Sequence, residues 1–232
     1  MRVHLLRHGE SRSNADRERI AIPEHEGDTL SDRGRAQAEA AAGALSGLGI
    51  ARIVSSPLGR ARETAAVLAP ALGVETVVWE GLEELREPDG YTLLPRSEQE
   101  RHRWSSRMSS RPDEPSHRPD GGESFADLLA RVDRARERLV ADAIDETLLV
   151  GHGIFFRFMF ARTLLGDEFG PRHADWLWRI GSLNCGLSTF DHLSGGGSSD
   201  PADIAGWRCV TWMAPTGPPQ LITGTGGGGP GF

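Results

Sequence analysis

Short apolar runs alternate with longer amphipathic segments along most of the chain. The runs are rich in β-branched residues or leucine and predict strands at residues 3–6, 51–57, 74–80 and 147–153. The segments between them have helical spacing, cap-type residues or a closing glycine. They predict helices at residues 29–49, 58–73, 122–144 and 154–166.

This alternation predicts the fold class. Strand–helix–strand units build parallel sheets whose two faces are covered by helices. Two later runs, at residues 185–193 and 206–213, flank a Gly/Ser-rich loop and predict a β-hairpin. We therefore expect an α/β fold, a three-layer sandwich with a mostly parallel central sheet and an antiparallel edge.

Two regions depart from the alternation. Residues 85–122 are polar and contain prolines, which is typical of an insertion or lid. Residues 214–232 are rich in glycine and proline and predict a flexible tail. The expected organisation is one α/β domain over residues 1–213, with the insertion inside it and the tail after it.

Composition excludes several classes of protein. The net charge of −7 argues against a general nucleic-acid binder. No apolar run approaches the roughly 18 residues of a membrane span, and the first apolar run is too short for a secretion signal, so a cytoplasmic location is expected. All 26 basic residues are arginine, so a single arginine is a weak functional signal.

Two similar stretches, "LLRHG" and "LLVGHG", each place a histidine and a glycine after an apolar strand. Because ligands gather at the carboxyl ends of parallel strands, His8 and His152 are expected to converge. Arg7 adjoins His8, and Arg60 follows another predicted strand at the start of a helix. These residues are candidates for one binding pocket.

A phosphate site explains this set better than a metal site. Neither His8 nor His152 lies in an HxH or HExxH pattern, and no carboxylate stands at a comparable ligand spacing. Guanidinium groups bind phosphate oxygens in a bidentate way, and a helix N-terminus adds free N–H donors. For His8 alone, the alternative is a core histidine hydrogen-bonded at a strand end.

The order of the motifs resembles the histidine phosphatase superfamily, which has the phosphoglycerate mutase-like fold. The resemblance covers about residues 2–190. It rests on "RHGES", Asn14, "TLSDRGRAQA", "SSPLGRARETA", "GGES" and "VGHG" taken together. The fold that it implies agrees with the fold that the alternation predicts.

The resemblance implies a role for each matching residue. His8 would be the nucleophile that becomes phosphorylated. Arg7, Arg60 and His152 would form the phosphate pocket, with His152 also counted as catalytic and Asn14 as a lesser contributor. No metal or cofactor is expected, because these side chains supply the positive charge. The alternative role of Asn14 is a turn residue or helix cap.

The proton donor in this family is a carboxylate after the third strand, commonly in an L-x-E pattern. Here that pattern selects Glu84 in "WEGLEELREPDG". Glu80, Glu83 and Glu87 crowd the same segment, and Glu83 is the main alternative. An acidic cluster of this kind is also typical of a solvated face.

The predicted insertion contains the basic stretch "RHRWSSRMSSR". On a helix, Arg103, Arg107 and Arg111 would share one face, with Trp104 and Met108 on an adjacent stripe. A lid that meets an anionic substrate would use the arginines for binding and the apolar stripe for docking. The alternative is a solvated face balanced by nearby acidic residues.

The resemblance implies a metal-independent phosphomonoesterase of the histidine acid phosphatase type. It would hydrolyse a phosphorylated small molecule through a phosphohistidine on His8. One alternative is a phosphoglycerate-type mutase, although "REPDGYTLLPRSEQE" does not resemble the long segment that follows the acid in mutases. The other is a catalytically silent phosphoryl-binding or scaffold protein. Neither the substrate nor the oligomeric state follows from the sequence.

Overall fold

The computed structural model describes residues 1–15, 28–88, 103–118, 121–193 and 206–224. Within these ranges the strands are β1 (Arg2–Arg7), β2 (Arg52–Ser55), β3 (Thr76–Val78), β4 (Thr147–Gly151), β5 (Leu187–Leu193) and β6 (Gly206–Ala214). The α-helices are α1 (Arg12–Ala15), α2 (Asp32–Leu45), α3 (Gly59–Leu72), α4 (Trp104–Ser109), α5 (Phe125–Asp142) and α6 (Gly153–Leu165). Short 3-10 helices span Gly166–Glu168, Pro171–Arg179 and Pro219–Leu221.

The six described strands form one sheet in the order β3-β2-β4-β1-β5-β6. The pairs β1–β4, β4–β2 and β2–β3 are parallel. β5 joins β1 in antiparallel orientation, and β6 pairs with β5 in the same way. A mostly parallel sheet with an antiparallel hairpin at one edge confirms the predicted fold class.

Alternating side chains on the central strands divide the core into two layers. Leu5 and Leu149 cluster with apolar residues of α5 and α6. Leu6, Leu148 and Val150 cluster instead with the alanine-rich faces of α2 and α3. Because successive strand residues face opposite sides, strands covered on both faces must be apolar throughout. Among the described residues, no helix is long and apolar enough to cross a membrane.

Local signals set the ends of three helices. The Ser31 side chain caps α2 by accepting a hydrogen bond from Gly34 N. Ser124 and Asp127 form a reciprocal capping box at the start of α5. α3 ends at Gly73, which has the left-handed backbone (φ 68°) that glycine adopts without strain.

The predicted insertion is docked on the domain where the structure describes it. Trp104 and Met108 of α4 are buried in the cluster formed with α5 and α6, as a docking stripe would be, and the function of this segment as a lid stays a prediction. Arg111 forms an exposed ion pair with Glu114 at 3.0 Å, as a solvated face would. Residues 89–102 and 119–120 lie outside the described residues.

The first half of the predicted tail is packed rather than flexible. After β6 ends at Ala214, Thr216 Oγ1 donates a hydrogen bond to Cys185 O, and Gln37 Nε2 donates one to Leu221 O. Side-chain donors and acceptors of the domain hold this segment, which its composition does not reveal. Residues 225–232 lie outside the described residues, so flexibility there stays a prediction.

The loop after β1 packs its backbone directly against the first turn of α2. A Cβ atom on Gly9 would lie 2.4 Å from the carbonyl oxygen of Gly34. A Cβ atom on Gly34 would lie 1.9 Å from the carbonyl oxygen of Glu10, which also accepts a hydrogen bond from Ser31 N. Both positions therefore require glycine, and this contact joins the motifs "RHGES" and "TLSDRGRAQA".

Replacing Gly34 with alanine is expected to destabilise the protein by about 1–3 kcal/mol, because the new methyl group overpacks the contact with Glu10. The matched control is Gly43→Ala in the same helix, where a Cβ would meet nothing within 4 Å. That change should stabilise the protein by about 0.5–1 kcal/mol through helix propensity alone. Urea denaturation measures both free energies of unfolding, and effects of the same sign would contradict the prediction.

Candidate active site

Three neighbouring strands end at one edge of the sheet and deliver the candidate residues there. His8 follows β1 and donates its backbone N–H to Gly151 O at 2.9 Å. His152 follows β4, and Ser56 follows β2. The imidazole rings of His8 and His152 lie with their centroids 5.2 Å apart. The predicted convergence of the two histidines is present in the structure.

The hydrogen bonds of His8 fix one tautomer of its ring. Nδ1 lies 2.6 Å from Gly9 O, which accepts only, so Nδ1 carries the proton. Nε2 then has a lone pair, and it accepts a hydrogen bond from Arg60 Nε at 3.2 Å. Burial, Arg60 and Arg7 hold the pKa of His8 well below its ordinary value. The ring is therefore neutral at physiological pH, with Nε2 as its basic atom.

Arg60 is held in place from behind by a buried carboxylate. Its Nη1 donates to Asp28 Oδ2 at 3.1 Å, and both side chains are buried. Asp28 also accepts hydrogen bonds from the backbone and hydroxyl of Ser13, at 3.1 and 2.6 Å. No sequence signal marks Asp28, which lies outside every motif and 32 positions along the chain from Arg60.

Arg7 is anchored by a backbone carbonyl. Its Nη1 donates to Ser182 O, in the segment that leads into β5. Burial lowers the pKa of Arg7 to about 10, although nearby Glu84 opposes the shift. Arg7 therefore keeps its positive charge at neutral pH.

His152 is the N-cap residue of α6, and its side chain is fully buried. Its Nε2 lies 2.7 Å from Ser56 Oγ, a residue that the sequence analysis missed although it stands at a strand end. Burial is the largest of the effects that hold the pKa of His152 well below its ordinary value, followed by the charge of Arg60. Two neutral imidazoles thus stand beside two charged guanidinium groups.

Glu84 reaches this edge, whereas Glu83 does not. The Glu84 carboxylate accepts hydrogen bonds from the backbone of Ile154 and Phe155 at 3.1 Å, in the first turn of α6 just after His152. The Glu83 carboxylate instead lies 3.7 Å from Arg131 Nη1 on α5. The geometry places Glu84 in the site and favours it over Glu83. Glu80 is exposed.

Arg131 supports the segment that carries Glu84. Its guanidinium donates to the carbonyl oxygens of Gly81 and Glu83 at 2.9 and 2.8 Å. It also pairs with the buried carboxylate of Glu123 at 2.7 Å. The "GGES" motif thus supplies a residue that positions the acidic segment through an arginine.

Asn14 lies at the margin of the site. It is exposed on α1, and its Oδ1 is 3.5 Å from Asn184 Nδ2. Asn184 is buried and donates from the same atom to His8 O at 3.0 Å. The structure therefore links Asn14 to His8 through Asn184, which the sequence analysis missed.

Three buried polar atoms near these residues have no hydrogen-bond partner within the described ranges: Arg7 Nε, His152 Nδ1 and Ser182 Oγ. A Cβ atom on Gly153 would lie 3.0 Å from Ser182 Oγ and 3.5 Å from Arg7 Nε. A side chain at this position would therefore crowd both atoms, and glycine avoids this. Because buried polar groups are normally paired, these atoms beside two arginines indicate a site for an anion that offers several oxygen acceptors.

Known proteins resemble this chain over most of its length. Residues 3–200 match the family profile of the histidine phosphatase superfamily, branch 1. A relative from Serratia proteamaculans named "Probable phosphoglycerate mutase GpmB" is 32% identical over 217 residues, which cover 91% of this chain and 92% of that protein. A protein of the same name from Yersinia pestis is 33% identical over 215 residues, with 89% and 90% covered.

Solved structures share the fold. "Mycobacterial hydrolase 1" has a TM-score of 0.70 and 29% identity, and the match covers 92% of this chain and 99% of that one. A mycobacterial glucosyl-3-phosphoglycerate phosphatase has a TM-score of 0.69 and 27% identity, with 92% and 99% covered. The ordered motifs, the sheet and these matches agree, and the chain belongs to branch 1 of the histidine phosphatase superfamily.

Proposed function

We propose that the protein is a metal-independent phosphomonoesterase of the histidine acid phosphatase type, which hydrolyses a phosphorylated small molecule through a phosphohistidine on His8. One observation carries the proposal. The neutral His8 ring has its lone pair on Nε2, directed at Arg60, with a second arginine and His152 beside it. A nucleophile surrounded by cations suits an anionic electrophile such as a phosphate ester.

In the first step, His8 Nε2 attacks phosphorus and the bond from phosphorus to the ester oxygen breaks. Arg7, Arg60 and His152 bind the non-bridging oxygens and stabilise the charge that spreads over them. Arg60 Nε, which now donates to His8 Nε2, turns to a phosphate oxygen and frees the lone pair. Glu84 is the proposed general acid and gives a proton to the departing alkoxide.

In the second step, water attacks the phosphohistidine, the N–P bond breaks and inorganic phosphate leaves. Glu84, now a carboxylate, takes a proton from the attacking water and returns to its starting form. Its contacts with the first turn of α6, beside His152, support this placement. The two steps together consume one water and one phosphate ester, and release phosphate and an alcohol.

The second candidate is a phosphoglycerate-type mutase, which the identity to the GpmB proteins favours. A mutase passes the phosphoryl group from the histidine back to a hydroxyl group and must keep water away meanwhile. The nucleophile His8 and the phosphate-binding residues Arg7, Arg60 and His152 serve both reactions. The phosphatase name of a structural neighbour at 27% identity supports hydrolysis.

His8→Ala is expected to lower p-nitrophenyl phosphate turnover by at least about 10³-fold, because the nucleophile is lost. The wild type should also acquire acid-labile phosphate on His8, and the variant should not. His117→Ala, outside the site, is the matched control. Isomerisation of 3-phosphoglycerate without release of phosphate would identify a mutase instead. Binding of phosphate without turnover or labelling would contradict both enzymes.

Glu84→Gln is expected to lower kcat for an alkyl phosphate by about 10²–10⁴-fold, because an alkoxide needs a proton to leave. The loss should be smaller for p-nitrophenyl phosphate, whose leaving group is stable as an anion. Glu83→Gln is the matched control and should keep nearly full activity with both substrates, since its carboxylate faces Arg131. Equal losses of kcat in the two variants would show that Glu84 is not the proton donor.

Arg60→Met is expected to raise the pKa of His8, because one of the two cations that oppose its protonation is removed. His8 is then protonated at higher pH, so the acidic limb of kcat/KM moves to higher pH. NMR titration of the His8 ring measures the pKa directly. Arg62→Met, an exposed position on the same helix, should change neither quantity. An unchanged or lowered pKa in Arg60→Met would refute this prediction.

A further inference from the structure

Two buried side-chain amides connect the loop that carries His8 to the end of the described chain. The nucleophile loop is His8–Ser11, and the C-terminal segment is residues 215–224. Gln37 of α2 and Asn184 before β5 are both buried, and each contacts both elements. Neither amide has a part in the proposed chemistry.

Gln37 binds the nucleophile loop through its side-chain oxygen and the C-terminal segment through its side-chain nitrogen. Its Oε1 accepts the backbone N–H of Glu10 at 2.7 Å. Its Nε2 donates to Thr223 Oγ1 and to Leu221 O, both at 2.6 Å. The side chain thus spans from the nucleophile loop to the C-terminal segment.

Asn184 makes the complementary connection. Its Nδ2 donates to the carbonyl oxygen of His8 at 3.0 Å, and its Oδ1 accepts from Thr223 Oγ1 at 3.2 Å. Its backbone N–H also donates to Thr223 O at 2.8 Å. Thr223 therefore meets Asn184 through both its side chain and its main chain.

The Thr223 hydroxyl closes one directed chain of hydrogen bonds. Glu10 N–H donates to Gln37, Gln37 to Thr223, Thr223 to Asn184, and Asn184 to the carbonyl of His8. Every donor points the same way, which lets the bonds polarise one another. A hydroxyl has one proton to donate. Thr223 donates it to Asn184 and accepts from Gln37 with a lone pair. Both ends of the chain hold the backbone of the nucleophile loop.

The C-terminal segment also contacts Arg7. A Cβ atom on Gly224 would lie 2.9 Å from Arg7 Nη1 and 2.5 Å from Ser182 O, the carbonyl that anchors this arginine. The backbone of Gly224 has φ 105°, which favours glycine. The segment thus touches the site at a second point, independent of the hydrogen-bond chain.

We propose that Thr223 is a positioning residue: its hydroxyl, acting through Gln37 and Asn184, fixes the nucleophile loop so that His8 is aligned for attack. The effect of Thr223 on turnover rests on the proposed function, whereas its effect on the position of the nucleophile loop does not. Small errors in the placement of a nucleophile lower the rate of the chemical step far more than the affinity for substrate. The C-terminal segment is then part of the active site although it contributes no reacting atom.

The test replaces Thr223 with valine, which keeps the shape and removes the hydroxyl. We expect kcat for p-nitrophenyl phosphate to fall by about 10- to 100-fold with KM changed less than about twofold. Thr223→Ser keeps the hydroxyl and should restore most of kcat. Thr216→Val is the matched control on the same segment, because its hydroxyl bonds to Cys185 O outside the chain of hydrogen bonds. Amide hydrogen exchange of His8–Ser11 should accelerate in Thr223→Val alone.

Each result has a defined meaning. The proposal is overturned if Thr223→Val retains full kcat and unchanged exchange, if serine fails to rescue, or if Thr223→Val and Thr216→Val lose equal activity and equal thermal stability. A wild type without turnover overturns the proposed function instead. In that case hydrogen exchange at the nucleophile loop still decides whether Thr223 positions it.

Discussion

The site depends on the parallel pairing of β1 with β4. In the observed register Arg7 lies opposite Gly151, so His8 and His152 leave neighbouring strands at the same edge. A shift of one residue would turn the side chains of a strand to the other face. The two-sided core prevents such a shift, because apolar residues fill both layers. The packing of leucines in the sheet thus sets the distance between two imidazoles outside it.

The same edge concentrates positive charge. The two arginines there, Arg7 and Arg60, have anchoring hydrogen-bond partners at Nη1, whereas their Nε atoms face the site. Asp28 binds Nη1 of Arg60, and the carbonyl of Ser182 binds Nη1 of Arg7. Nε of Arg60 donates to His8, and Nε of Arg7 has no hydrogen-bond partner among the described residues. One nitrogen of each guanidinium is therefore fixed, and in the proposed reaction an anion would bind the two Nε atoms, that of Arg60 after it leaves His8. Buried charges need such anchoring, since an unsupported ion is costly to desolvate.

The residues whose place along a strand or helix marks them are predictable from the sequence. His8, His152 and Arg60 stand at strand ends or in a first helical turn, where the parallel sheet brings them together. The sequence pattern selected Glu84 but kept Glu83 as the main alternative, because only the packing of the acidic segment on α5 and α6 separates their carboxylates. Ser56 satisfied the strand-end rule and was overlooked. Asn184 and Asp28 gave no local signal: the contacts that tie them to His8 and Arg60 join residues more than 30 positions apart, and neither residue type is distinctive.

The hydrogen bond from Arg60 to His8 Nε2 engages the lone pair of the proposed nucleophile, so Arg60 must release this atom before it reacts. While the guanidinium donates to that lone pair, the lone pair is less available to an electrophile. In the proposed first step, an entering anion competes for the guanidinium and draws it away. An uncharged carboxylic ester or a phosphate triester offers no such charge and competes less well for the guanidinium. Discrimination between esters then begins with their charge, before any contact with the alcohol that they carry.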